Sequence, residues 1–148
     1  MKLRTMAAVM SFVSKIENDS AKFYQNYASK YPEIGETFSS FIKENKRNEK
    51  GIKHTYFGVI TDTIEACYSF EGLDTDNYEF DIDLAPGPTL ADALKMALEM
   101  EDKIERFYLK AAELSHSLMA DVPRAFKRVG QKREDRKLKL QFLLEKVS

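Results

Sequence analysis

The sequence predicts an all-α fold, a bundle of four helices built as two helical hairpins with one long crossover between them. Three observations carry this prediction. Four segments show helical periodicity, two of the three connections are short while the middle one is long, and the first half of the chain repeats in the second.

The first helix is expected over about 4–31, ending at Pro32, which cannot continue it. Its seven-spaced rows are Met10, Glu17, Tyr24, Tyr31 and Met6, Val13, Ser20, Tyr27. The second is expected over about 35–60, with rows Phe38, Asn45, Ile52, Val59 and Ile42, Glu49, Tyr56. The crossover, about 61–88, contains Tyr78-Glu79-Phe80-Asp81-Ile82-Asp83-Leu84, which alternates as a strand does. A lone strand is unstable, so it reads as an extended segment packed on the bundle. Pro86-Gly87-Pro88 then breaks the chain, and Thr89-Leu90-Ala91-Asp92 resembles a capping box that opens the third helix, about 89–114. The fourth, about 122–146, starts at Asp121-Val122-Pro123, an Asp cap with Pro in the first turn.

The 148 residues suit one domain over 1–148. Lys plus Arg number 23 against 24 Asp plus Glu, so the molecule as a whole is no polyanion binder. At 43% apolar and 32% charged, the chain is an ordered one. The single Cys67 excludes an internal disulfide framework and a multi-Cys zinc site, and it fits a reducing compartment. Met1 to Ser14 lacks a signal-type apolar block, and no stretch approaches the roughly 18 apolar residues of a membrane span. The expected location is cytoplasmic, without membrane contact.

Charge is unevenly distributed. No Lys or Arg occurs between Lys53 and Lys95, where Asp62, Glu65, Glu71, Asp74, Asp76, Glu79, Asp81 and Asp83 lie. From Asp121 onwards nine basic residues face four acidic ones. This reads as two solvated faces of opposite sign.

Glu17-Asn18-Asp19-Ser20-Ala21-Lys22-Phe23-Tyr24 matches Glu101-Asp102-Lys103-Ile104-Glu105-Arg106-Phe107-Tyr108. Both read Glu, five residues, Phe-Tyr on an amphipathic helix, as a duplication leaves them. Glu17 and Glu101 share rows with Met, Leu and Tyr, so both should face inward, where a carboxylate is costly unless paired or metal-bound.

With these paired motifs the chain resembles the rubrerythrin-related branch of the ferritin-like superfamily, over most of its length outside the crossover. The resemblance implies a ferritin-like four-helix bundle in which helices one and three each give an inward Glu. Helices two and four then each give Glu-x-x-His, and together they hold two iron or manganese ions for redox work on peroxide or dioxygen. It further implies that Tyr24 and Tyr108 brace the carboxylates of Glu17 and Glu101 through their hydroxyls. Together with apolar residues at helix edges, it points to a homodimer.

Helices two and four depart from that pattern. The family's Phe-x6-Glu-x2-His, counted from Phe126, meets Arg133 and Arg136. Counted from Phe41 it meets Asn48 and Gly51, and from Phe38 it meets Asn45 and Asn48. An alternative register keeps acids at Glu49 and Glu134, with Ile52 and Lys137 in the His positions. Glu49 lies in a row with Ile42 and Tyr56 and can face inward; Glu134 lies with Lys127 and Gln141 and should face solvent. Arg133 and Arg136 lie in the rows of Phe126, Leu140 and of Val129, Leu143. His54 would need Glu at the position of Gly51, and His116 falls after the third helix, so neither reads as a ligand.

Two readings therefore stand, with a third behind them. In the first, no cofactor is bound. Glu17, Glu101, Arg133, Arg136, Asn48 and Glu49 form an ion-pair layer at the former metal site, guanidinium pairing two-pronged with carboxylate, and the protein binds or assembles with a protein partner. In the second, Glu17, Glu49, Glu101 and Glu134 hold two iron or manganese ions in an all-oxygen site and the protein is an oxidoreductase. The absence of a Cys-x-x-Cys pair means such an enzyme would take electrons from a separate protein. The third, nucleic-acid binding through Lys127, Arg128, Lys132, Arg133, Arg136, Lys137 and Lys139, is disfavoured because these wrap several helix faces and the acidic crossover repels phosphate.

Overall fold

In the computed structural model the described residues are 1–59, 70–82, 89–115 and 121–147. Within them the chain is all-helical. Helix α1 spans Met6–Lys30, α2 Gly35–Val59, α3 Leu90–Leu114 and α4 Asp121–Val147. Each matches a predicted helix to within one or two residues at its ends. Ile60, Cys67, His116 and the expected crossover residues 61–69 and 83–88 lie outside the described residues.

Local chemistry sets the boundaries. The Thr5 hydroxyl accepts from the Ala8 amide at 3.1 Å, so α1 begins at Met6 and not near Arg4 as periodicity suggested. Pro32 stops it, and a 3₁₀ turn over Pro32–Ile34 leads directly into α2. At α3 the capping box is complete. The Thr89 hydroxyl accepts from the Asp92 amide at 3.1 Å, and the Asp92 carboxylate accepts from the Thr89 amide at 3.2 Å. Helix α4 includes Asp121 as its first residue, one earlier than expected.

Helix α1 packs on α2, α3 on α4, and α2 on α4. Cross-links fix the directions. Ser14 and Ser20 of α1 meet Glu49 and Asn45 of α2, and Asp102 and Leu109 of α3 meet Lys137 and Gly130 of α4, so both pairs run antiparallel. Two aromatic clusters lie at different heights. Phe23, Tyr24, Phe38 and Phe41 form one, with Tyr24 and Phe38 rings 4.7 Å apart. Phe12, Tyr78, Phe107, Tyr108 and Phe126 form the other, with Phe12 and Phe107 5.0 Å apart. Both are buried, and each large side chain contributes about 1.5–3 kcal/mol by leaving water.

The described part of the connection between α2 and α3 is not a regular strand. A 3₁₀ turn occupies Thr75–Asn77, after which side chains alternate: Tyr78 is buried, Phe80 and Ile82 half-buried, Glu79 and Asp81 exposed. Its earlier part pairs with the start of the chain, a contact that periodicity gave no sign of. The Leu3 amide donates to the Leu73 carbonyl and the Phe70 amide to the Arg4 carbonyl, each at 2.8 Å, flanking an antiparallel bridge between Lys2 and Asp74. Leu3, Phe70 and Leu73 are buried by this arrangement, and Gly72 (φ +84°) makes the tight turn between the last two.

Candidate functional site

Between the two aromatic clusters lies a stratum of charge. Glu17 of α1, Glu101 of α3, and Arg133 and Arg136 of α4 are all at most 2% exposed. The seven-residue rows bring them there: each has apolar or aromatic neighbours two turns away, Met10 and Tyr24, Leu94 and Tyr108, Phe126 and Leu140, and Val129 and Leu143, and packing the rows together buries the charged groups as well.

Arg133 is the hub. Its Nη1 donates to both oxygens of Glu101, at 2.7 and 2.9 Å, and to the Ser20 hydroxyl at 3.2 Å. Its Nη2 donates to Glu17 Oε2 at 2.5 Å and to Asn45 Oδ1 at 3.1 Å. One guanidinium thus spans the acids of both repeats. Arg136 closes the layer on one side. It donates to Glu101 at 3.2 Å, to Glu44 at 2.9 Å and to the Phe41 carbonyl at 2.9 Å, with its guanidinium 4.8 Å from the centre of the Phe41 ring.

Two tyrosines complete it, in a crossed arrangement. The Tyr24 hydroxyl donates to Glu101 and the Tyr108 hydroxyl to Glu17, so the tyrosine of each repeat serves the acid of the other. Every oxygen of the two carboxylates has at least one charged or hydroxyl donor.

The electrostatics follow from burial and charge together. Burial alone would raise the Glu101 pKa, but the charges of Arg133 and Arg136 and the hydrogen bonds from Tyr24 and Arg133 outweigh it and hold the carboxyl below its ordinary value. Burial opposes the charge on Arg133 as well, yet Glu101 and Glu17 more than offset it and the guanidinium is held more firmly protonated than usual. Burial, then the neighbouring carboxylates, push the phenols of Tyr24 and Tyr108 well above their usual range.

Other expected members lie elsewhere. Glu49 is not in the layer: it is half-buried at the α1–α2 seam, where it accepts from Ser14 and Lys53 at 3.0 Å each. Its row placed it inward only approximately, and the carboxylate turned to the seam where partners and water reach it. Asn48 is buried but hydrogen-bonds to neither carboxylate. Glu134 is exposed, and Lys137 pairs with Asp102 at 2.9 Å. His54 is exposed. Three participants were absent from the expected layer. Asn45 appeared only as one slot among several registers, Ser20 was detectable as a small polar residue in an apolar row, and Glu44 had no signal beyond its place beside Asn45.

The metal pair implied by the family resemblance does not fit these residues. A guanidinium stands between the two acids, their oxygens are committed to it and to the tyrosines, among the described residues no imidazole reaches the layer, and the further acids Glu49 and Glu134 point away. Among the described residues, no three His, Cys, Asp or Glu side chains converge to hold an ion. The basic side chains proposed for nucleic-acid contact are likewise divided, since Arg133 and Arg136 are interior and Lys137 is paired. Among the described residues, no helix is long and apolar enough to cross a membrane. Comparison with protein-family models, with curated proteins and with solved structures finds no match for this chain.

Proposed function

We propose that this chain is a ferritin-fold protein of rubrerythrin type whose di-metal position has been taken over by the Glu–Arg layer, and that it acts as a binding or assembly protein and not as a di-metal oxidoreductase. The supporting observation is the seat of Arg133. It donates to Glu17 and Glu101, the acids that the resemblance assigns to the metal, and supplies the positive charge they need. The two tyrosines bonded to those acids support the same lineage. So does the connection between α2 and α3, which run in the same direction and require a return along the bundle.

Assembly is read as homodimerisation in the cytoplasm. Leu138 and Phe142, 59% and 57% exposed and one turn apart on the outer face of α4, are the side chains that support it.

Metal analysis of protein purified without chelators or an affinity tag tests the central claim. The expected iron and manganese content is far below one equivalent per chain. Two tightly held equivalents, lost in Glu101→Ala, would establish the oxidoreductase instead. Sedimentation of the parent and of Leu138→Glu tests the dimer: a monomeric parent removes that part of the reading.

A further inference from the structure

The near balance of charge over the whole chain conceals one unbalanced face, made by α2 and α4 together. The two helices meet where Arg136 reaches Glu44 and the Phe41 carbonyl, and Arg133 reaches Asn45, so they too run antiparallel. These contacts fix which edge of each helix lines the shared groove. On α4, Lys132 and Lys139 lie one turn before and after Arg136, and Arg128 one turn before Lys132. On α2, Arg47 lies one turn after Glu44, with Lys43 and Lys50 one turn to either side of it. The antiparallel register brings Arg47 level with Lys132 and Lys50 level with Arg128.

Five of these six side chains are exposed, and Lys132 is half-buried. Among the described residues none of the six makes an ion pair, whereas Lys15, Lys53, Arg106 and Lys137 elsewhere are all paired. The carboxylates within one turn of them are Glu44, which Arg136 occupies, and Asp135, which accepts from Gln131 at 3.3 Å. Six cations therefore surround a single acid that no cation neutralises.

The row from Arg128 to Lys139 is about 17 Å long, and the α2 row runs beside it on a helix whose axis is about 8–10 Å away. Such rows fit a partner whose negative charges repeat along its length. The groove between them carries no exposed large apolar side chain. Phe57 lies two turns beyond Lys50; Leu138 and Phe142 point outward at the other end, and Lys146 stands over the Phe142 ring at 4.4 Å. Bases of a single strand find no aromatic platform in the groove, and a lipid layer finds no apolar anchor there.

We propose that this face binds the phosphate backbone of double-stranded nucleic acid without reading its sequence. A duplex presents one negative charge per about 1.7 Å of its axis, and each cation that neutralises a phosphate releases condensed counterions. Arg133, Arg136 and Lys137, which α4 commits to Glu17, Glu101, Glu44 and Asp102, take no part.

Fluorescence anisotropy of a labelled DNA duplex, titrated with the full chain at several salt concentrations, tests this. With six phosphate contacts the affinity should fall about a thousandfold between about 50 and 200 mM salt. Arg47→Glu combined with Lys132→Glu should abolish binding at the lower salt while circular dichroism stays that of the parent. Lys43→Gln and Lys50→Gln, at exposed positions, should each lower the salt slope by about one contact. The proposal is overturned if the parent fails to bind the duplex at the lower salt, or if these variants bind as the parent does. Tighter binding to a single strand, to polyglutamate or to phosphatidylserine vesicles than to the duplex overturns it as well. None of these readings depends on metal content, which is measured separately.

Discussion

The hydroxyl of Tyr24 on α1 donates to Glu101 on α3 at 2.5 Å, and both groups are wholly buried. The repeat-related pair does the same in the other direction, Tyr108 of α3 donating to Glu17 of α1 at 2.6 Å. The two halves of the chain are therefore joined by reciprocal charge-assisted bonds, each half holding the acid of the other.

This crossing has a spectroscopic consequence. Burial first, then the adjacent carboxylates, raise both phenols well above their usual value, while in the unfolded chain they ionise near pH 10. In an alkaline titration followed by phenolate absorbance, Tyr24 and Tyr108 should ionise only as helical circular dichroism is lost, later than Tyr78, which burial raises less. Because the folded values are the raised ones, the fold weakens as pH climbs past about 10, where the unfolded state gives up these protons. Tyr24→Phe and Tyr108→Phe should each remove one late-ionising phenol and cost about 1.5–3 kcal/mol, the value of a hydrogen bond to a charged group. Late ionisation unchanged in both variants would show that other tyrosines are responsible.

The acid side behaves in the opposite sense. The folded Glu101 pKa lies below its ordinary value, so its contribution is fully present above about pH 5 and is lost as pH falls through the folded value. Arg133, held more firmly protonated than usual, stays charged throughout that range. Urea midpoints measured from pH 7 down to pH 3 should therefore fall, and Glu101→Gln should flatten the curve. An equally steep fall in Glu101→Gln would assign the acid sensitivity to surface carboxylates.

Much of this was legible in the sequence, and the limits have physical causes. The four helices were readable because their apolar rows are regular and their stop signals, Pro32 and the Thr89 capping box, act locally. Glu17, Glu101, Arg133 and Arg136 were readable as interior because a charged residue in an apolar row has nowhere else to point. Row membership has an angular resolution of about one residue, and so it misplaced Glu49, which turned toward Ser14 and Lys53 at the helix seam. Glu44 was hidden for the complementary reason: it lies at the edge of its helix and is drawn in only by the long reach of Arg136. The ladder between residues 1–4 and 70–75 is made by backbone groups, which every sequence carries alike, so periodicity did not show it.

Glycine in helices offers a contrast between two sites. Gly51 is exposed in the interior of α2, and a Cβ placed there meets no atom within 4 Å. Gly51→Ala should raise stability by about 0.5–1 kcal/mol, the difference in helix propensity. At Gly130 of α4 the same Cβ would stand 3.2 Å from Leu109 Cδ2 and 3.6 Å from Tyr108 Cβ. Gly130→Ala should gain less, because Leu109 must shift away from the α3–α4 contact. Thermal denaturation of both variants measures the difference, and a larger gain at Gly130 would contradict the close packing.

The ion-pair layer itself can be separated into what is needed and what is merely costly to break. Arg133→Met leaves Glu17 and Glu101 buried with only Arg136 nearby, and should cost about 3–5 kcal/mol in urea denaturation. Adding Glu17→Gln and Glu101→Gln to Arg133→Met removes the uncompensated charge while keeping an amide oxygen for each tyrosine hydroxyl. Arg136 retains Glu44 and the Phe41 carbonyl. The triple variant should recover at least about half of the loss, since neutral replacement of a buried ion cluster is often tolerated. If it recovers nothing, the layer stabilises the bundle in its own right. If it recovers fully but the helices lose their fixed near-ultraviolet dichroism, the layer serves to select one register of four helices that could otherwise slide.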